Sequence, residues 1–344
     1  MTGSANRSPI TTIAFLNNAI SAQLTRRDLS ERNIPLSEVA VILGRDVEEP
    51  WLAQCARVVA YGGRPESTLL GQRRFVAFFR EAASLLRQLF ASGALRRAYI
   101  VNNDNILSAH ILEMARRQPL EVSVVAEGLM NYQDITVKNR AGWRWRVKPV
   151  VSAALGLRYR RPAGHLSGAY DPVVDRIVTF TLGGMKGPAE KMCVLPLPAA
   201  TPRVVAEPDV GLIVHTGLWA WMSPESYRPL AEAFADYVRA AGFRKLYAKP
   251  HPRVETGILD QLLPPHEIID TRLSLEEIAG DLEAGTVLGT CCTGLVTLKL
   301  MRPELHCIDF GGEYYCRHAY GGDYSVLEMM RGAGIDLQLW VPTP

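Results

Sequence analysis

The chain has 344 residues, and its composition, with 48% hydrophobic and 21% charged residues, is that of an ordinary globular protein. This length exceeds the size of one core and favours two domains of about 150 residues each. The 38 Lys and Arg residues against 35 Asp and Glu leave a net charge of +3, too small to indicate a nucleic-acid-binding protein. Six cysteines without a C-x-x-C pair indicate neither a zinc ribbon nor a disulfide framework, so we expect reduced thiols in a cytoplasmic protein.

The first half of the chain alternates short apolar segments with segments of helical periodicity. The polar pair Asn17 and Asn18 forms a turn directly after the first apolar segment. This alternation favours a parallel, doubly wound sheet. Strands are predicted at 11–16, 39–43, 56–61, 97–101, 121–126 and 173–180, and helices at 19–31, 69–89 and 106–117.

A second alternating unit follows a segment rich in glycine, proline and alanine. Its predicted strands are 210–214, 242–248, 266–270, 286–289 and 304–309, with helices at 225–241 and from 295 onwards. The predicted fold class is therefore α/β, with two Rossmann-like domains and parallel sheets. We expect an N-terminal domain over 1–183, a linker over 184–208 and a C-terminal domain over 209–344.

Glu127 and Gly128 directly follow a predicted strand. Gly128 permits a backbone turn that a side chain would forbid, and it leaves Glu127 displayed at the strand end. A carboxylate in this position is suited to act as a general base. Capping of a following helix is the alternative interpretation.

His251 lies between two prolines, Pro250 and Pro252, after a predicted strand. The prolines restrict the backbone, and the carboxyl ends of strands form the usual ligand crevice of α/β proteins. With Lys249 and Arg253 beside it, the imidazole suits an anionic ligand such as phosphate. The alternative is a loop histidine that caps the strand.

The segment from Thr290 to Thr293 connects a strand to a helix through a turn of small residues. Free backbone N–H groups at the helix start, together with the hydroxyls of Thr290 and Thr293, make an anion site. Ordinary helix capping explains the same pattern equally well.

Together, Glu127-Gly128, His251-Pro252 and the turn at Thr290 to Thr293 resemble the motif set of the bacterial sialyltransferases. The similar group contains the capsular polysialyltransferases and the lipooligosaccharide sialyltransferases. Its acidic-acidic-Gly, His-Pro and Ser-Ser/Thr motifs lie on two Rossmann-like domains of the GT-B type. The resemblance implies an inverting glycosyltransferase of capsule or lipooligosaccharide biosynthesis, which moves sialic acid or a related nonulosonic acid from a CMP-sugar to the hydroxyl of a glycan or glycolipid acceptor.

The resemblance also implies roles for individual residues. Glu127 would deprotonate the acceptor, His251 would bind the CMP phosphate and assist its departure, and Glu276 would contact the ribose, with Glu277 competing for that role. Two departures stand out, since Ala126 replaces the first acidic residue and Cys292-Thr293 replaces the paired hydroxyls. The N-terminal domain would hold the acceptor, with Asn17, Asn18 and Gly128 as turn residues. The C-terminal domain would bind the CMP-sugar through Lys249, His251, Pro252, Arg253, Glu276, Thr290, Cys292 and Thr293.

No metal or other cofactor is expected, because the chain lacks an Asp-x-Asp motif. His251, Lys249, Arg253 and a helix N-terminus would supply the positive charge that the leaving phosphate needs. Two alternatives keep the fold: a CMP-Kdo transferase and a CDP-alcohol phosphotransferase. A non-catalytic nucleotide- or glycan-binding module is the alternative from a different class, and a nucleic-acid partner is not expected.

Residues 138–161 form a basic segment that also carries tryptophan. Such a segment binds an acidic acceptor glycan, lies against acidic lipid headgroups or is a solvated face. We therefore expect a cytoplasmic protein, either free or in peripheral contact with the inner face of the membrane. The basic and tryptophan residues are Lys138, Arg140, Trp143, Arg144, Trp145, Arg146, Lys148, Arg158, Arg160 and Arg161.

Overall fold

The chain is described by a computed structural model over residues 9–44, 47, 49–61, 69–102, 104–135, 144–160, 164–216, 222–251, 258–270 and 273–341. It divides into two compact units, one of residues 1–180 with 186–195 and one of residues 181–185 with 196–344. Each unit is built on one parallel sheet. The predicted fold class, α/β with two Rossmann-like domains and parallel sheets, is confirmed.

The sheet of the first unit has seven strands in the order β3-β2-β1-β4-β5-β6-β7. Its strands are β1 (Thr12–Leu16), β2 (Val39–Leu43), β3 (Arg57–Ala60), β4 (Arg97–Ile100), β5 (Glu121–Val125), β6 (Arg176–Thr179) and β7 (Met192–Val194). The helices of the unit are α1 (Ala19–Glu31), α2 (Leu69–Ser92), α3 (Ile106–Ala115) and α4 (Arg144–Ala154).

The strands β1 and β2 are buried along their whole length. Continuous apolar strands of this kind are typical of a parallel sheet that is covered on both faces. Asn18 ends the turn after β1 and caps α1, because its side chain accepts a hydrogen bond from the Ser21 N–H at 2.9 Å. The Ser21 hydroxyl accepts the Asn18 N–H in return, at 3.2 Å, which completes a capping box.

The second unit carries a six-stranded sheet in the order β10-β9-β8-β11-β12-β13. Its strands are β8 (Glu207–Val214), β9 (Lys245–Lys249), β10 (Glu267–Ile268), β11 (Ala284–Gly289), β12 (His306–Phe310) and β13 (Asp336–Gln338). The helices are α5 (Pro224–Ala241), α6 (Ile258–Leu262), α7 (Leu275–Ile278), α8 (Thr293–Met301), α9 (Gly312–Ala319) and α10 (Ser325–Gly332).

The segment predicted as a linker, 184–208, contains regular structure. Its residues Met192–Val194 form β7 and pair with β6, and β8 already begins at Glu207. An apolar run of three residues is too short to show strand periodicity among the surrounding prolines. The domain roles assigned above stay predictions.

Every strand pairing in both sheets is parallel. The carboxyl ends of all strands in a sheet therefore lie along one edge, where ligands of α/β proteins usually bind. Within the described part of the chain, none of the helices combines the length and the apolar character that crossing a bilayer requires.

Candidate functional site

A carboxylate at the carboxyl end of β5 is held by side chains that follow two other strands of the same sheet. The Glu127 Oε2 accepts a hydrogen bond from Asn17 Nδ2 at 2.9 Å, and its Oε1 accepts one from Asn102 Nδ2 at 3.0 Å. Asn17 follows β1, and Asn102 follows β4. Because β1, β4 and β5 are neighbours in the sheet, their ends bring the three side chains together.

Two further asparagines fix the backbone of Glu127. Asn18 Nδ2 donates to the Glu127 carbonyl oxygen, and Asn131 Oδ1 accepts the Glu127 N–H at 2.9 Å. Gly128 follows with φ of 142°, a conformation that favours glycine, as the sequence predicted. The four asparagines thus hold both the main chain and the carboxylate of Glu127.

This arrangement suits proton transfer better than helix capping. The short 3₁₀ turn after Glu127 has Gly128 as its N-cap and receives no side-chain capping bond. Glu127 is half-buried, whereas Asn17 and Asn102 are buried. A carboxylate has about four acceptor positions, so two amide donors orient it without preventing it from accepting a proton.

The turn before α8 in the second unit is built differently from the predicted hydroxyl pair. Cys292 is the N-cap of α8, and its Sγ accepts the Gly294 N–H at 3.3 Å. The Thr290 hydroxyl donates to the Phe310 carbonyl oxygen at 2.8 Å in a buried position. Since Thr290 has only one hydroxyl hydrogen, this bond directs it into the unit and away from a ligand. Thr293 is the half-buried first residue of α8.

Asp309, at the end of β12, supports this turn from inside the unit. Its Oδ1 accepts the N–H of Cys291, a residue with φ of 43°, at 2.6 Å. Burial raises the pKa of Asp309 to about 7, although the N–H groups of Cys291 and Gly312 oppose the rise. The sequence analysis missed Asp309, because only the pairing of β11 with β12 brings it beneath the turn.

Lys249 and Glu276 lie within electrostatic range of each other in the second unit. Lys249 is buried at the end of β9, and its Nζ donates to the Asp270 carbonyl oxygen at 2.7 Å. Burial raises the pKa of Glu276 above its ordinary value, and Glu277 adds to the rise while Lys249 opposes it. Burial raises the pKa of the Cys292 thiol to about 11, and the Asp309 and Glu276 charges add to the rise. The structure thus brings the predicted residues Lys249, Glu276 and Cys292 into one neighbourhood.

A buried histidine that the sequence analysis did not select lies beside His251. His215 directly follows β8, its N–H donates to the Lys249 carbonyl oxygen at 3.0 Å, and its Nε2 is 3.2 Å from Asp260 Oδ1. Burial lowers the pKa of His215, Asp260 opposes this effect, and His266 and His251 add to it. Its position directly after an apolar strand is the signal that could have identified it. Pro252 and Arg253 of the predicted donor set lie outside the described residues.

Among the residues that the structure describes, no group of three or more His, Cys, Asp or Glu side chains is arranged to hold a metal ion. Hydrogen-bonding and ionisable side chains gather around Glu127 in the first unit and around the first turn of α8 in the second unit.

No protein-family model matches the chain, and no curated protein sequence matches it either. Similar solved structures include a glycosyltransferase from Rickettsia africae, with 7% identity and a TM-score of 0.42, covering 88% of this chain and 79% of that one. HepE from Anabaena, in complex with UDP and glucose, is 10% identical with a TM-score of 0.45, over 95% of this chain and 96% of HepE. The UDP-GlcNAc 2-epimerase from Methanocaldococcus jannaschii is 10% identical with a TM-score of 0.43, over 93% of this chain and 92% of the epimerase.

These neighbours correct the predicted identity. HepE is in complex with UDP and the epimerase is named for UDP-GlcNAc, whereas the prediction required a CMP-linked sugar. The predictions of a sialyltransferase, of CMP-sialic acid dependence and of a CMP-activated nonulosonic acid as partner are wrong, and the assignment to capsule or lipooligosaccharide biosynthesis is not supported. The three motifs supply a carboxylate, a histidine and hydroxyls at strand ends. Such groups suit a proton or a phosphate and do not distinguish cytosine from uracil.

Proposed function

We propose that this chain is a glycosyltransferase that moves a sugar from a nucleotide-sugar to an acceptor hydroxyl, with Glu127 as the general base. The observation that carries the proposal is the orientation of the Glu127 carboxylate by Asn17 and Asn102, at 2.9 and 3.0 Å. A base needs a fixed direction towards the proton that it removes. Neutral amides provide that direction without placing a second charge beside the carboxylate.

The donor phosphate is proposed to bind at the first turn of α8. The first N–H groups of a helix lack partners within the helix, and with the helix dipole they attract an anion. Thr293 begins this helix. The Lys249 charge acts on Glu276, which in turn is close to the N-cap residue Cys292. Glu276, half-buried near Cys292, is proposed to accept hydrogen bonds from the ribose hydroxyls.

The proposed reaction is one displacement at the anomeric carbon. The acceptor oxygen bonds to that carbon while its proton passes to Glu127, and the bond from the carbon to the phosphate oxygen breaks. The phosphate leaves with the electron pair, and the positive end of α8 stabilises its charge. A single displacement inverts the anomeric configuration.

The experiment is an assay of sugar transfer from a panel of UDP-sugars to simple glycoside and glycolipid acceptors, with wild type, Glu127→Gln and Glu121→Gln. Glu121 begins the same strand at the opposite edge of the sheet, where it pairs with Arg32 at 2.7 Å. The Glu121→Gln variant therefore shows how much the same substitution lowers turnover at a position away from the candidate site.

We expect one donor to be used by the wild type and by Glu121→Gln, and turnover by Glu127→Gln to fall by about 10²–10⁴-fold. Conversion of a UDP-sugar to its epimer without an acceptor would contradict the transferase assignment. Nucleotide binding without any turnover would indicate a non-catalytic binding module instead.

A further inference from the structure

Helix α4 presents an apolar stripe to solvent. Val147, Val150 and Val151 are 39, 68 and 40% exposed, and Ala154, one turn further, is exposed as well. These residues have the spacing i, i+3, i+4 and i+7, which places them on one face of the helix. In contrast, Ser152 is fully buried. The polar side chain faces inward and the valines face outward, the reverse of the usual arrangement on a water-soluble surface.

Basic residues accompany this stripe along the chain. From residue 144 to residue 160 the chain contains no aspartate or glutamate. Arg146, Arg158 and Arg160 are all exposed. The basic residues of the stretch are Arg144, Arg146, Lys148, Arg158 and Arg160.

Helix α2 adds a second basic and apolar element. Phe75 and Val76 are 45 and 47% exposed, and the helix carries four arginines and one glutamate: Arg73, Arg74, Arg80, Arg87 and Glu81. Towards the other end of α2, Arg87 Nη1 donates to the Leu155 carbonyl oxygen, just after the end of α4, at 3.0 Å.

We propose that this face of α4 docks the first unit onto an anionic phospholipid bilayer. Valine side chains enter the boundary between headgroups and acyl chains, while arginines pair with lipid phosphates. Each basic residue near an anionic membrane surface strengthens binding by about fivefold. A second copy of the chain fits less well, because a symmetric contact would oppose the same arginines to each other.

The docking face is connected to the candidate site in the same unit. Lys148 of α4 pairs with the Asp104 carboxylate and donates to the Asp104 carbonyl oxygen at 2.6 Å. Asp104 is two residues beyond Asn102, whose amide orients Glu127. An acceptor carried by a lipid at the bilayer surface would then be presented near the base. This consequence rests on the proposed function, whereas lipid binding itself does not.

The test is sedimentation of the full chain with vesicles of phosphatidylcholine alone and of phosphatidylcholine with phosphatidylglycerol, at low and high salt. We expect binding to the anionic vesicles only, weakened by salt. The double variant Arg146→Gln and Arg158→Gln should lose about 25-fold in affinity, and Val150→Asp should also weaken binding. Arg228→Gln, on the exposed face of α5, and Val205→Asp, at a valine that is 81% exposed, are the matched controls.

Equal binding to neutral and anionic vesicles, or unchanged binding in both α4 variants, would overturn the proposal. Loss of a homodimer in Val150→Asp, measured by sedimentation velocity without lipid, would assign the face to a second copy and overturn it too. Thermal unfolding of each variant shows whether the fold is intact. Because no sugar donor is present, the outcome does not depend on whether Glu127 is a base.

Discussion

Asn102 places a neutral amide, rather than a charged group, beside the Glu127 carboxylate. This lack of charge is central to the proposed role of Glu127 as a base. Asn102 donates to Glu127 Oε1 at 3.0 Å and adds no charge. The isosteric change Asn102→Asp replaces the donor by a second carboxylate at the same distance. Two carboxylates so close share a proton, so one of them stays protonated to higher pH.

We therefore expect Asn102→Asp to move the acid limb of the pH–activity profile to higher pH and to reduce turnover at neutral pH. The measurement is kcat as a function of pH for wild type and variant with the same donor. Asn105→Asp, at the N-cap of α3, is a control that adds the same charge in the same loop. If Asn102→Asp lowered kcat by a similar factor at every pH, without a shift of the acid limb of the profile, the account would be contradicted.

Gly184 lies where both the backbone conformation and the neighbouring atoms disfavour a side chain. Its φ is +67°, and an added Cβ would lie 2.2 Å from the Ser325 carbonyl oxygen in the same unit. Gly242, which caps α5, has a similar φ of +64° but has no described atom within 4 Å of such a Cβ. Comparing the two positions therefore separates the steric clash from the backbone conformation.

We expect Gly242→Ala to lower the free energy of unfolding by about 1 kcal/mol, the cost of the left-handed conformation. Gly184→Ala should lower it by a further ~1–3 kcal/mol, since backbone must move to admit the methyl group. Denaturant unfolding of both variants measures the difference. Equal losses would show that the contact with Ser325 relaxes without cost.

At the scale of elements, His110 joins α3 to its neighbours. Its Nδ1 accepts the Arg158 N–H at 2.9 Å, and its ring meets Phe90 of α2 edge to face, with centroids 5.3 Å apart. Burial lowers the pKa of His110 to about 4, and the Arg158 charge adds to the effect, although the Glu113 charge opposes it. The unfolded chain, with an ordinary histidine pKa near 6.5, thus binds more protons between about pH 4 and 6.5.

Stability from this histidine is therefore complete above about pH 6.5 and is lost as the pH falls towards 4. Between pH 7 and pH 5 we expect the wild type to lose about 2 kcal/mol more than His110→Gln, which cannot titrate. The free energies of unfolding of the wild type and His110→Gln at the two pH values measure this difference in pH dependence. His318→Gln, at an exposed histidine of α9, should behave as the wild type. Equal pH dependence in all three proteins would refute the assignment.

Elements with a long or fully apolar pattern could be predicted, and short ones could not. The five residues of β2 were predicted with correct bounds, because an apolar run of that length has few alternatives. The three-residue strands β7 and β13 were missed, since pairing with β6 and β12 creates them. The strand predicted at 266–270 is only two residues long, because it pairs with β9 at those two positions.

At the scale of the whole molecule, the alternation of strands and helices was sufficient to predict two parallel α/β units. The residues of the candidate site stay predictions. Glu127, Lys249 and Glu276 were selected from their positions near strand ends or helix starts. Predicting the contacts of Asn102, Asn131 and Asp309 requires the order of the strands in each sheet, and sequence periodicity does not give that order. The predicted donor was wrong because a carboxylate, a histidine and hydroxyls at strand ends do not report the nucleotide base.

The two units are proposed to divide the reaction, with acceptor activation in the first and donor binding in the second. The most direct test compares donor dissociation constant and turnover in wild type and Glu127→Gln, using the sugar-nucleotide that the wild type consumes. We predict that turnover falls by about 10²–10⁴-fold while the dissociation constant stays within about twofold. A dissociation constant that weakens in parallel with turnover, or turnover that does not change, would contradict the assignment of Glu127 as the base.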